Sequence, residues 1–234
     1  MRSCLIRLLI AAVVIFALLW FGLPFGASWL ATNALGAAGF TGTDTKVEVS
    51  ADLPPRILLG HADRIRLTSS QVSVGDLHAA AIDVTLSDVE LINRAIGGVH
   101  GTLTGVRVPA PDGDPVTIDS ATVDGSGTAA TATLLVSTAE AERLAASQLK
   151  TKTGFDGTVK LAAPDKVTVT INGKSQPGHL VVKDGSLDLV LDSGVSVTLI
   201  EAGTGNPFHF TSVAIGPNGV TLVGTMDLQT LLGL

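Results

Sequence analysis

The chain has 234 residues, of which 46% are hydrophobic and 15% charged, and a mean hydropathy of +0.46; this suits one domain with a lipid-facing appendage and excludes a disordered tail or an ordinary cytosolic enzyme. With no Tyr and an aromatic fraction of 4%, it lacks the material for base-stacking platforms, aromatic cages or sugar-stacking grooves. All 21 acids follow residue 43, where thirteen of the 15 bases also lie, for a net charge there of −8; such a surface repels polyphosphate, excludes nucleic acid as a partner and argues against attachment to anionic headgroups by charge alone.

Residues 8–25 contain no charged or strongly polar side chain, and their number approaches the ~20 residues needed to cross a bilayer. Arg2 and Arg7 precede the run, so the positive-inside rule leaves the extreme N-terminus in the cytoplasm and everything after Trp29 outside. Trp20, Phe21, Phe25 and Trp29 cluster at its far end like an interfacial belt. The reading is a membrane anchor over residues 1–29 and an extracytoplasmic domain over residues 30–234, held to the cytoplasmic membrane by a single pass. The alternative is a cleavable signal peptide, with Ala34, Gly36, Ala37 and Ala38 as small residues for cleavage and a secreted product. The apolar stretch, however, is longer than the usual signal core. Cys4, the one cysteine, forms neither an internal disulfide nor a four-ligand metal site, and it precedes the position of a lipoprotein cleavage site.

A helical continuation after the anchor ends at Gly39 and Gly42, and a short linker is expected around residues 41–45. From there the pattern has period two: Val47 and Val49; Ile65 and Leu67; Val72 and Val74; Ile82, Val84 and Leu86; Val106 and Val108; Val167, Val169 and Ile171; Leu187, Leu189 and Leu191; Val197 and Leu199; Val220 and Leu222. Aliphatic residues alternate with Thr, Ser, Asp and Lys, as in half-buried antiparallel strands. Several runs change phase, as where Leu86 gives way to Val89 across Ser87 and Asp88, predicting long strands bent by an extra residue. Lys183-Asp184-Gly185-Ser186 and Gly216-Pro217-Asn218-Gly219 read as hairpin turns, and residues 109–115 as an exposed loop.

One helix interrupts the strands. Ser137 followed by Glu140 has the spacing of a capping box, and a helix is expected over residues 139–150, stopped by Gly154. Ala141, Leu144, Ala145 and Leu149 form its apolar stripe, which needs a sheet face to bury against. The expected fold is α+β, mostly β: a long curved antiparallel sheet wrapped around one or two helices, preceded by a transmembrane helix.

Catalytic signatures are missing. There is no Gly-x-Ser-x-Gly elbow, His-Glu-x-x-His, phosphate loop or calcium loop. The five histidines lie far apart in sequence, none with a second ligand at metal spacing, so neither metal nor cofactor is expected. His209, between Phe208 and Phe210, reads as a sheet-surface histidine facing away from both. The stretch Leu53-Pro54-Pro55-Arg56-Ile57-Leu58-Leu59-Gly60-His61, followed by Arg64 and Arg66, has two readings. The plainer is a helical turn or loop packed into the core with surface arginines. The functional one is an entrance where Ile57, Leu58 and Leu59 meet acyl chains while Arg56, Arg64 or Arg66 pairs bidentately with a headgroup phosphate. On the helix, Leu144 and Leu149 are the candidate lipid contacts.

The order of these features resembles a known family. The apolar N-terminus, the Pro-containing aliphatic stretch, the run from Ala62-Asp63-Arg64-Ile65 through Val72-Ser73-Val74-Gly75-Asp76-Leu77 to Ile82-Asp83-Val84-Thr85-Leu86-Ser87-Asp88-Val89, the strand leading into the Ser137-capped helix and the closing run Phe210-Thr211-Ser212-Val213-Ala214-Ile215-Gly216-Pro217-Asn218-Gly219-Val220 are similar to the LmeA-like phospholipid-binding proteins of actinobacterial cell envelopes. The resemblance spans roughly residues 27–225, and Leu53-Pro54-Pro55 departs from the more aromatic Phe-Pro start of that pattern. It implies a non-enzymatic, tubular-lipid-binding-like domain that holds phospholipid and supports maintenance of envelope lipids and lipoglycans such as lipomannan, alongside envelope biosynthetic proteins. The rival expectation is a closed β module without a cavity that docks an envelope enzyme complex, with the 109–115 loop as its contact. An esterase or glycosidase would need a cavity where serine meets histidine, or acid meets acid.

Overall fold

The computed structural model describes residues 28, 32–33, 35–36, 39–90, 92–93, 95–108, 114–202 and 208–227. The anchor segment 8–25 and most of the 109–115 loop lie outside them. Among the described residues, no helix is long and apolar enough to cross a membrane.

The period-two runs become antiparallel strands, as their alternation requires. β1 (Phe40–Ser50), β2 (His61–Val74), β3 (Leu77–Glu90), β4 (Ala95–Val108), β5 (Val116–Ser126) and β6 (Ala129–Val136) follow one another across a sheet. β12 (Phe208–Gly216) and β13 (Gly219–Asp227) complete it in the order β1-β2-β3-β4-β5-β6-β13-β12. Between β6 and β12 the chain builds a second sheet from β7 (Gly157–Ala162), β8 (Lys166–Ile171), β9 (Lys174–Lys183), β10 (Ser186–Leu191) and β11 (Ser196–Ile200), in the order β11-β10-β9-β8-β7. The protein is therefore mostly β and antiparallel, divided into two sheets where the alternation alone suggested one. The Asp184-Gly185 turn has φ of 49° and 79° at its two residues, the conformation a two-residue hairpin demands. The expected linker at residues 41–45 is instead the first half of β1. It pairs with β2 through two register shifts, and Thr41, Thr43 and Thr45 bond across to Ser73, Ser70 and Ser69. Without aliphatic residues, this half carries no alternation to read.

The phase changes have a backbone cause. Asp88 sits inside β3 with φ 48°, Gln71 inside β2 with φ 49° and Gly105 inside β4 with φ 57°. One left-handed residue in a strand absorbs a position, so the even-numbered aliphatics of β3 hand over to Val89, and the odd-numbered ones of β2 and β4 to Val72 and Val106, on the same face. Leu67 and Leu103 consequently share one apolar cluster with Val72 and Val106. At Gly105 a Cβ would fall 2.9 Å from the Cβ of Ala80, so this kink has no room for a side chain. Apolar residues line one face of the large sheet in a band. Val47, Val49, Ala62 and Val89 lie at one end, Leu67 joins this cluster to that of Val72 and Ile82, and Val108 and Ile118 carry the band on.

The helix expected over residues 139–150 is α1, Thr138–Thr153. The Ser137 hydroxyl accepts from the Glu140 N–H at 3.3 Å, and Gly154 ends the helix at φ 75°. α1 packs chiefly on β7 and more lightly on β11, β13 and β5, lying between the two sheets. Behind it is the main core, where Leu189, Val167 and Val169 are the most completely buried large side chains.

Candidate functional site

Three layers line a partly open cavity of about 290 Å³. The large sheet supplies Val108, Ile118, Leu134, Val136, Leu222 and Phe210 among others, the small sheet Leu161, Leu180, Leu187, Leu199 and Ile200, and the helix Ala141, Leu144, Ala145 and Gln148. Gln148 is the one polar residue in this lining. No serine, histidine or acid borders the cavity among the described residues. Phe208 and Phe210 meet edge to face with ring centroids 4.8 Å apart. Phe210 is buried and His209 between them is exposed, as strand alternation predicts.

The cavity exists because of how α1 is held. Its inward stripe carries two alanines, too short to fill the gap, while polar side chains on its flanks pin it to both sheets. Toward the large sheet, the Thr117 N–H donates to Glu140 Oε1 at 3.0 Å. Arg143 donates to both Glu140 carboxylate oxygens and to the Pro115 carbonyl. Toward the small sheet, Glu142 accepts from Lys160 Nζ at 2.7 Å and from the Leu161 N–H at 3.0 Å. Burial by itself would raise the Glu142 carboxyl, but the Lys160 and Leu161 hydrogen bonds outweigh it and hold the group below the ordinary carboxylate value.

Of the residues singled out from sequence, Leu144 lines the cavity. Leu149 is 2% exposed and belongs to the packed core. The other candidates sit elsewhere. Residues Pro54–Leu59 form a 3-10 turn; Ile57 packs on the Val47, Val49 and Ala62 cluster, while Leu58 and Leu59 are exposed. Arg56 lies 3.6 Å from Asp63. Arg66 pairs with Asp83 through Nε at 3.0 Å and Nη2 at 2.8 Å, which keeps the Asp83 carboxyl below its ordinary range. Arg64 and Arg66 alternate with Ile65 and Leu67, so they stand on the polar outer face, where they border a hollow shared with Thr85, His100 and Thr102. The structure thus brings none of the three arginines to the cavity. At ~3.3 Å per residue, the 14 residues of β4 run a contour of roughly 40 Å from Ala95, near the 3-10 turn, to Val108 at the cavity.

His61, Asp63 and Asp88 place ligand atoms within 4.8 Å of one another, a grouping across two strands that linear spacing does not reveal. Asp63 is already engaged there: it accepts from the Asp52 N–H and from His61, which with Arg56 lower its pKa. The adjacent guanidinium opposes a second cation. The residue that sequence reasoning missed is Gln148. It follows Leu144 by four and Ala145 by three, so it is the polar member of the apolar stripe, and that spacing was a readable signal. Comparison of the chain with protein-family models, with curated proteins and with solved structures finds no match.

Proposed function

We propose that this protein is a non-enzymatic lipid-binding protein, anchored to the extracytoplasmic face of the cytoplasmic membrane through residues 8–25, whose cavity holds an acyl chain of a phospholipid. The observation that carries the reading is the apolar cavity between α1 and the two sheets. An apolar hollow leaves its lining either in water or short of packing contacts. An apolar occupant supplies those contacts. At about 30 Å³ per water-sized group, the volume takes roughly ten methylenes, a single chain rather than a whole two-chain lipid. Each methylene withdrawn from water contributes about 0.8 kcal/mol. Withdrawal from a bilayer is nearly neutral, because lipid tails are as apolar as leucine, so exchange with a membrane is reversible.

The continuous apolar band on the large sheet supports the same reading, since it joins the membrane-proximal end of β2 and β3 to the cavity. The likeness to the LmeA-like proteins, with a curved sheet around helices and a role in envelope lipid and lipoglycan maintenance, belongs to this proposal. The rival reading is a cavity-free module docking envelope enzymes through the 109–115 loop; the apolar cavity among the described residues favours the lipid reading over it. Native mass spectrometry of the full chain after detergent exchange tests the proposal. Retained phospholipid, lost in Leu144→Asp, is the expected result; a chain that emerges empty and takes up no fluorescent acyl lipid sinks it.

A further inference from the structure

Leu53, Leu58, Leu59 and Ile92 are 54%, 63%, 73% and 77% exposed. They are half of the large apolar residues strongly exposed among the described ones, and they gather at one end of the molecule. Single exposed aliphatics are ordinary; a cluster marks a surface that meets something apolar. The chain holds this cluster rigidly. Pro54 and Pro55 open the 3-10 turn and Gly60 closes it at φ 75°, its N–H bonded to Ile57. Ile57 points inward and anchors the turn in the core. Ile92, from the β3–β4 connection, has its Cγ1 2.9 Å from where a Cβ on Gly60 would lie, so any side chain there would displace it.

Where the chain enters identifies the occupant. The Val49 N–H donates to Ser28 Oγ at 3.1 Å, and Leu35 packs in the same cluster as Ile57. The N-terminal helical residues thus dock at this end. Phe25, the last residue of the uncharged run, precedes Ser28 by three residues, a stretch of chain that spans at most about 11 Å. An anchor ending there brings a bilayer surface to the exposed leucines. We propose that Leu53, Leu58, Leu59 and Ile92 form a wedge that inserts into the outer leaflet of the membrane carrying the anchor, setting the domain upright with its cavity far from the bilayer. At this end the acids Asp63 and Asp88 lie with His61 and Arg56 faces Asp63, so no basic patch leads; insertion is apolar, proceeds on zwitterionic lipid and resists salt.

This rests on the membrane half of the proposed function and not on what fills the cavity. The test uses the full chain in phosphatidylcholine vesicles, with Cys4→Ser as background and an environment-sensitive fluorophore on Leu58→Cys, Leu59→Cys or Ile92→Cys. Phe155→Cys and Val195→Cys serve as exposed controls. Nitroxide-labelled lipid is expected to quench the three tip positions several-fold more than the controls, at low and high salt, while aqueous iodide quenches only the controls. Iodide quenching at the tip overturns the wedge. Protection from both quenchers overturns it too, showing a protein partner or a second copy on the surface. A full chain that fails to float with vesicles overturns both the wedge and the anchor. An empty cavity together with nitroxide-quenched tip residues removes the carrier reading and leaves the wedge standing.

Discussion

The two ends of α1 meet the same kinds of side chain and make different interiors. Near its C-terminus, Leu149 closes onto β7. Gly157 lies beside it, where a Cβ would touch Leu149 at an ordinary 3.4 Å and crowd Ile171 of β8 at 2.9 Å. Near its N-terminus, Ala141, Leu144 and Ala145 look across the cavity to Ile118, Leu161 and Leu222, and polar struts from Glu140, Glu142 and Arg143 hold the helix in place. Composition does not separate core from cavity here. The separation comes from where a leucine packs directly into the core and where ion pairs carry the helix instead.

The strongest way to break this contrast is in the packed end. Leu149→Ala and Leu189→Ala should each cost about 2–5 kcal/mol, a fall of roughly 5–20 °C in thermal midpoint for a domain of this size, with retained lipid per folded molecule unchanged. Leu144→Asp should act the other way round. An unpaired carboxylate in an apolar site is driven to protonate or to draw in water, so lipid retention should collapse while the midpoint falls less than for Leu149→Ala. If Leu144→Asp unfolds the domain as thoroughly as Leu149→Ala, the two ends are one core and the contrast is lost. Ala141→Phe sharpens it further: a ring grown into existing space should change stability by less than about 1.5 kcal/mol yet exclude the acyl chain, read by native mass spectrometry.

The smallest effect concerns the struts. The folded-state pKa of Glu142 lies below the ordinary 4.5, so its contribution is present above that value and is lost as pH falls through the folded value. Glu142→Gln should therefore lower the midpoint at neutral pH, and its difference from the parent should close on acidification. A constant difference across the pH range would show that the carboxylate charge does not brace the helix.

Much of this architecture is legible in the amino-acid order. Alternation marks the strands, Asp184-Gly185 marks a hairpin, and Ser137 with Gly154 brackets α1 within a few residues. The phase slip at Asp88 is visible as well, and the structure supplies its cause in one left-handed residue. The same alternation puts Arg64 and Arg66 opposite Ile65 and Leu67, which already separates them from the apolar face. The division into two sheets is not legible, because β6 pairs with β13 across the whole intervening small sheet and nothing local encodes so distant a partner. The cavity is not legible either: Leu144 and Leu149 look alike on the helical stripe, and only their tertiary surroundings distinguish them.

The unpaired margins of the large sheet bear on how the molecule behaves in a crowd. A straight edge strand is a template on which a second copy can extend the ladder. At β12 that template is already used, since the Phe210 N–H donates to the Gly185 carbonyl and the Ile215 N–H to the Pro164 carbonyl, both from turns of the small sheet. At β1 it is broken, because the register shifts around Thr43 and the left-handed Asp44 interrupt the row of donors and acceptors. The irregular stretch that escapes sequence patterning thus denies a neighbouring strand the straight edge that ladder extension needs.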